Sequence, residues 1–306
     1  MKRSHHINYL FLLLFLIPLF SFASATNSIL DVPITNYLTG YTFSKTPYSL
    51  FGVRSQWPAS GNYKIYTASY YHHKANIPQT IGANIEYQTQ NIYNTIYALR
   101  LHYSYKLSID DNLQVTPNVS VGFKANNINY GRLTFEDLAT VSQQENETNI
   151  RPNFYLGSSV LYKKAHLFAV SINPNGLYSD NTSNEVLVGY TGQIKSYISP
   201  LLVISPQFLY NFYNSLHEFQ YGVKTIYKPF VAGIYTRHNE KFNFNAAIIL
   251  LGTCWENYEL NYAYDINLTN EFTFFNGLGA HEVTFSVKFR YKRKSIMRKA
   301  IKCPTF

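Results

Sequence analysis

Hydrophobic and polar residues trade places at every step over long stretches of this chain. From Tyr97 to Ile109 the odd positions read Tyr, Leu, Leu, Tyr, Tyr, Leu, Ile, and the even positions between them read Ala98, Arg100, His102, Ser104, Lys106, Ser108. Leu113, Val115, Pro117, Val119, Val121 and Phe123 alternate in the same way with Gln114, Thr116, Asn118, Ser120, Gly122 and Lys124. The pattern recurs where Tyr258, Leu260, Tyr262, Tyr264, Ile266 and Leu268 interleave with Asn257, Glu259, Asn261, Ala263, Asp265 and Asn267. It returns near the end, where Val283, Phe285, Val287, Phe289 and Tyr291 interleave with Glu282, Thr284, Ser286, Lys288 and Arg290. A period of two is the mark of a strand, whose successive side chains point to opposite faces. Tyr63 to His73 and Val231 to Arg237 alternate poorly, and the pattern assigns them no faces.

Read along the chain, the strands fall at 48 to 57, 63 to 73, 79 to 88, 96 to 109, 113 to 124, 153 to 163, 166 to 173, 185 to 196, 201 to 211, 216 to 227, 230 to 238, 242 to 251, 255 to 267 and 279 to 292. Eleven residues rise about 25 Å at ~3.3 Å per residue and a tilt of ~45°, the height of the apolar band of an outer-membrane barrel. A soluble sandwich uses strands of about five or six residues. Connections also alternate in length. One side has Asp110-Asp111-Asn112, Lys164-Ala165 and Lys228-Pro229, and the other has the long stretches 125 to 152, 173 to 184 and 268 to 278. Short turns on the periplasmic rim and long loops outside are the habit of bacterial outer-membrane barrels. The expectation is an all-β chain, a transmembrane antiparallel β-barrel of about fourteen strands with both termini in the periplasm.

Charge placement agrees with that reading. Arg54, Glu86, Arg100, Lys106, Lys124, Glu218, Lys224, Glu259, Asp265, Lys288 and Arg290 all fall on the polar parity of their strands. A Lys or Arg facing lipid at mid-depth would cost ~2–4 kcal/mol. An open sheet in lipid would also leave backbone groups unsatisfied at several kcal/mol each, so such strands must close into a ring. The candidate interior charges are thus Glu86, Arg100, Lys106, Lys124, Glu218, Lys224, Glu259, Lys288 and Arg290, beside Arg54 and Asp265. They admit two readings, a self-neutralising structural lumen or a selective pore or client-binding surface, and about fourteen strands leave room for either.

Composition refines the picture. Only 14% of the 306 residues are charged against 17% aromatic, and 28 tyrosines suit interfacial girdles. Lys2, Arg3, an apolar run from Tyr9 to Phe22 and Ala23-Ser24-Ala25 form a secretory signal peptide over residues 1–25, cleaved after Ala25. The barrel then spans 26–292 and a basic tail 293–306. The formal charge of +9 suggests nucleic acid until it is located. From Lys288 onward the chain carries eight basic residues and no acid, and the body between leader and tail holds 16 basic against 17 acidic residues. A nearly neutral body offers no broad basic face for phosphates, so nucleic acid is excluded as a partner.

No catalytic or cofactor signature appears. His281-Glu282 lacks the second histidine of a zinc protease helix, since Phe285 stands there. No metal, cofactor or catalytic group is expected, and Glu282 is read as a lumen or rim residue paired with an interior base. Cys254 in a short turn and Cys303 in the tail fall on the periplasmic side by strand parity, where a disulfide between them would persist and pin the tail to the rim. The tail itself is either a solvated orientation signal or a docking peptide for an acidic partner or anionic headgroups.

Several of these residues carry a resemblance. Gly279-Ala280-His281-Glu282 and the closing Cys303-Pro304-Thr305-Phe306, together with Arg54-Ser55-Gln56-Trp57, Tyr103-Ser104-Tyr105 and Tyr262-Ala263-Tyr264-Asp265, resemble motifs of the PorP/SprF family of type IX secretion outer-membrane proteins. That family's Asn-Pro-Ala-Tyr-Ala-Gly opening is degenerate here, where Pro33 to Tyr41 reads PITNYLTGY. The resemblance implies family roles for Arg54, Gln56, Trp57, Tyr262, Tyr264, Asp265, His281, Glu282, Cys303, Pro304 and Phe306. It also implies a non-enzymatic barrel in outer-membrane lipid that assists export or surface attachment of clients with a C-terminal signal, linked in some relatives to gliding motility. The alternative is a passive porin or solute transporter.

Overall fold

The structure, a computed structural model, describes residues 46–56, 63–73, 77–90, 94–130, 146–163, 165–174, 185–195, 201–213, 216–239, 244–267 and 279–289. Trp57, Arg290, the leader 1–25 and the tail 293–306 lie outside the described residues. The described chain is almost wholly strand. In order these are β1 (Tyr48–Gln56), β2 (Tyr63–His73), β3 (Gln79–Gln90), β4 (Asn94–Tyr105), β5 (Leu107–Ser108), β6 (Leu113–Ile128), β7 (Glu147–Tyr162) and β8 (His166–Asn173). They continue as β9 (Glu185–Gly192), β10 (Ile194–Lys195), β11 (Leu202–Tyr213), β12 (Leu216–Tyr227), β13 (Phe230–Asn239), β14 (Phe244–Cys254), β15 (Tyr258–Asn267) and β16 (Ala280–Lys288).

Among the described residues, β5 continues β4 and β10 continues β9, so the sixteen segments make fourteen strands, each antiparallel to its neighbours. β9 pairs with β11 and the first strand pairs with the last, which closes the ring. That seam holds nine residue pairs, from Tyr48 opposite Lys288 to Gln56 opposite Ala280. Closure leaves no unpaired edge at the seam, the condition for strand backbone to survive in lipid. With an even strand number, the chain enters and leaves at the same end of the barrel.

The two-residue period becomes an inside and an outside. On β4, Tyr97, Leu99, Leu101, Tyr103 and Tyr105 lie on the outer surface while Ala98, Arg100, His102 and Ser104 are buried. Large exposed side chains such as Phe51, Ile81, Phe123, Phe168, Ile234 and Val283 extend this apolar coat over the strands. An apolar surface so continuous has no place in water. β2 and β13, unassigned from the pattern, turn Tyr63, Ile65 and Tyr71, and Val231 and Tyr235, inward. Their inner sides join buried apolar clusters, one of Tyr48, Leu50 and Tyr71 and another of Val231, Tyr235, Ile248, Leu250 and Ala263. Where the inside is also apolar, alternation of polarity disappears.

Two of those interior tyrosines depend on a glycine in the adjacent strand. Gly82 lies opposite Tyr71 and Gly222 opposite Tyr235. A Cβ at Gly82 would stand 2.3 Å from the Tyr71 ring, and one at Gly222 would stand 2.4 Å from the Tyr235 ring. Bare backbone at these positions is what lets each ring lie flat on its neighbour.

Three prolines lie within described strands, and each has a local consequence. Pro117 and Pro206 have no N–H to give the ladder. Opposite Pro117 the β4–β6 pairing stops at Ser104–Asn118 and resumes at Leu107–Val115; opposite Pro206 the pairing stops at Thr191–Gln207 and resumes at Ile194–Ile204. Lys106 and Gln193 keep their bonds on the other side, donating to the Pro78 and Ala165 carbonyls at 2.7 Å each. The third, Pro152, sits in β7. This strand and β6 run for 16 residues, beyond the limits 113 to 124 and 153 to 163 expected from alternation. Ala125, Asn126, Asn127 and Ile128 break the two-residue pattern, and all four are half-buried.

Candidate functional site

The chemistry-bearing residues face the interior in three groups. The first straddles the seam. Arg54 on β1 faces Glu282 on β16, its direct register partner, with Nη1 donating to Oε2 at 3.1 Å. Its Nη2 donates to Oδ2 of Asp265 on β15 at 2.7 Å. Arg237 on β13 donates from Nη2 to the same Asp265 oxygen at 3.0 Å, and its Nε lies 3.1 Å from Oε1 of Glu218 on β12. Arg54, Asp265 and Glu282 are at most 2% exposed. Five strands are thereby tied together around the seam where the first and last strands meet. A one-residue slip at the seam would send Arg54 or Glu282 into lipid, so the network fixes the closing register.

The second group lies on β2, β3, β4, β7 and β9. Arg100 donates from Nε and Nη2 to Oδ1 of Asn84 at 3.1 and 2.9 Å and from Nη2 to the Glu86 carboxylate, which also accepts from the Gln88 amide. Asn84 passes its own amide hydrogen to the Ser69 hydroxyl at 2.9 Å. The guanidinium lies 5.8 Å from the centre of the Tyr155 ring, and the Tyr155 hydroxyl donates to Oε2 of Glu185 at 3.1 Å. The third group is a chord: Lys224 on β12 donates to Oε1 of Glu259 on β15 at 2.6 Å, and the Asn261 amide joins it at 2.9 Å. β13 and β14 separate those two strands, so the side chains meet only because the wall curves.

Of the remaining expected residues, Lys124 is exposed on β6 and Lys106 is half-buried at the break between β4 and β5. Lys288 ends β16 at the rim, its N–H donating to the Asn257 carbonyl at 2.7 Å. Gln56 is buried at the end of β1. His281 and Glu282 go to opposite faces, as strand neighbours must. His281 meets the Tyr262 hydroxyl at 2.8 Å on the outer surface and its ring lies 4.9 Å from that of Tyr264. Cys254 closes β14, half-buried, with Sγ 3.7 Å from the Trp255 carbonyl; Cys303, Pro304 and Phe306 lie outside the described residues, so the proposed disulfide does too.

Sequence reasoning passed over Arg237, Glu185, Asn84, Gln88 and Tyr155. Arg237 lies in the strand whose alternation is masked by Val231 and Tyr235, and Glu185 opens a strand directly after a long connection, where parity has no preceding residue to anchor it.

A sequence profile described as type IX secretion system membrane protein PorP/SprF matches residues 41–287, a span that contains every strand but the last residue of β16. The chain belongs to the PorP/SprF family. All three interior groups lie inside the region the PorP/SprF profile covers. No curated protein matches the sequence. Among solved structures, the TodX ΔS2S3 mutant monoaromatic hydrocarbon channel aligns at 8% identity, with a TM-score of 0.50 over 86% of this chain and 95% of that one. A FadL homologue from Pseudomonas aeruginosa aligns at 9% identity and 0.48 over 84% and 94%, and Omp33 of Acinetobacter baumannii at 11% and 0.46 over 80% and 98%. At such identities the TodX alignment speaks to architecture alone, an outer-membrane barrel, which is how this PorP/SprF protein is built.

Proposed function

We propose that this PorP/SprF barrel sits in the outer membrane as a non-enzymatic component of the type IX secretion system and assists export or surface attachment of client proteins, gliding adhesins among them. It stands with both termini and its short turns in the periplasm and its long connections outside. The leader 1–25 is removed on the way. The observation that carries the reading, beside family membership, is the burial of the inward charges: Arg54, Arg100, Asp265 and Glu282 are each at most 2% exposed. A water-filled porin would leave such groups wet and free to select ions; here they are spent on one another.

The basic tail 293–306 is the proposed periplasmic docking peptide, held by an acidic partner or anionic headgroups at ~1 kcal/mol per basic residue. Deleting Ser295 to Phe306 should leave a heat-modifiable, membrane-inserted barrel and abolish client export. Normal export after that truncation refutes the docking role. Planar bilayers test the broader reading: a silent barrel that co-purifies with a C-terminal-signal protein supports the export role, and a steady open-channel current with no co-purifying client refutes it in favour of a porin.

A further inference from the structure

On the outer wall, histidine recurs beside a tyrosine hydroxyl. On β2 the hydroxyl of Tyr70 and Nδ1 of His72 lie 3.2 Å apart. Between β8 and β9, Nδ1 of His166 and the Tyr190 hydroxyl are 2.9 Å apart, and between β15 and β16 the Tyr262 hydroxyl is 2.8 Å from Nδ1 of His281. Tyr210 and His217 repeat the form at 2.7 Å. Exposed Tyr66, Phe168 and Val283 share the strand parity of His72, His166 and His281, which places these rings on the outer face. Each histidine is the first or second residue from an end of its strand. His72 and His166 lie at the end of the barrel where the chain enters and leaves, and His281 lies at the opposite end.

A neutral tyrosine–histidine pair owns two polar hydrogens, one on the hydroxyl and one on the ring, and the bond between them uses one. If the hydroxyl donates, Nε2–H is left over; if Nδ1 donates, the O–H is. Either way the Tyr70–His72, Tyr190–His166 and Tyr262–His281 pairs each keep one donor, and among the described residues nothing accepts it. Facing lipid, an unused donor is costly. Height supplies the acceptor. The Phe289 ring lies 6.2 Å from that of Tyr70, so the Tyr70–His72 pair stands level with Phe289, eight residues past His281 along the same strand. Eight steps of ~3.3 Å tilted by ~45° separate the two levels by ~19 Å, within an apolar band ~25 Å tall. Each donor therefore lies ~3 Å inside a margin of the band, where the first oxygens met are acyl esters, with the phosphates further out.

We propose that the Tyr70–His72, Tyr190–His166 and Tyr262–His281 pairs are lipid-binding sites, each donating its remaining hydrogen to an acyl-ester carbonyl of a membrane lipid. Two of the sites serve the leaflet at the end where the chain enters and leaves, and the third serves the opposite leaflet. The bond inside each pair holds both rings in place, so the donor is presented without first ordering a loose side chain. The inference needs only that the apolar coat meets lipid, and it is independent of the export reading.

The test exposes the full-length barrel to an equimolar mixture of diester and diether phosphatidylcholines of equal chain length, strips loosely held lipid with detergent, and counts what is retained by mass spectrometry. The two lipids share the phosphate and differ at the carbonyl. Diester lipid should be retained about fivefold over diether, the effect of one neutral hydrogen bond. Changing only the histidines, as His72→Phe, His166→Phe and His281→Phe, should keep that preference, because each released tyrosine hydroxyl still donates. Adding Tyr70→Phe, Tyr190→Phe and Tyr262→Phe should bring the ratio to about one. Equal retention of the two lipids by the unaltered protein, the result that phosphate binding or hydration would give, overturns the proposal. A preference that survives all six substitutions overturns it as well. The first measurement needs no variant, and Tyr262→Phe with His281→Phe alone should already lower the ratio if the six-fold variant does not fold.

Discussion

Replacing Arg54 by leucine tests whether the seam network holds the barrel closed. The substitution removes the Nη1 bond to Glu282 and the Nη2 bond to Asp265, at 3.1 and 2.7 Å, and leaves two carboxylates at most 2% exposed. Hydrogen bonds to charged groups contribute ~1.5–3 kcal/mol each, and breaking a buried ion pair from one side costs ~3–5 kcal/mol. Asp265 keeps Arg237, so the lower part of that range, about 3 kcal/mol, is the expectation. With a urea m-value near ~3 kcal/mol/M, the unfolding midpoint should fall by about 1 M. The fraction folded is read in detergent from the heat-modifiable band on unboiled gels across a urea series. Arg54→Leu with Glu282→Leu should lose less than the sum of the two single changes, since each removes the other's unpaired charge. A Tyr262→Phe control, on the outer surface, should shift stability by ~0.5 kcal/mol or less. If Arg54→Leu unfolds within about 0.5 kcal/mol of the parent, the claim that this network holds the seam is wrong.

Other outcomes follow from the same geometry. Gly222→Val should drive a methyl group into the Tyr235 ring and destabilise by ~1–3 kcal/mol, and Tyr235→Ala in the same chain should recover part of the loss; no loss in the single variant contradicts the close approach. Leu101→Lys places a charge midway along β4 on the outer wall and should cost ~2–4 kcal/mol in membrane-inserted folding yield, whereas an equal yield would mean that this face does not meet lipid. Glu259→Gln should weaken the chord to Lys224, and the exchange Lys224→Glu with Glu259→Lys should restore much of the urea resistance; failure of the exchange would show that neighbours other than the ion pair dominate there.

What the sequence conveys about this barrel depends on what each residue faces. β4, β6, β15 and β16 are legible because their outer residues meet lipid and their inner ones are polar, so polarity and direction coincide. β2 and β13 are not, because Tyr63, Ile65, Tyr71, Val231 and Tyr235 put apolar groups on the inside as well. Parity assigns Arg54, Asp265 and Glu282 to the same side of the wall without saying that they meet. Their meeting depends on register across the seam and on the reach of Arg54 past β16 to β15, neither of which is a property of any single strand. The ends of β6 and β7 escape because beyond residue 124 the two-residue period stops although the ladder does not.

Pro117 and Pro206 occupy the same place in two hairpins, each the fifth residue of a strand that follows a short connection, with the gap in the preceding strand two residues from its end. A rung is absent at a fixed height, and only one alignment of the two rails sets the vacant rung against the residue that cannot bond. Each hairpin therefore carries an index mark that survives changes in the loops and side chains around it. Transplanting either strand into another barrel would fail unless its notched companion travelled with it.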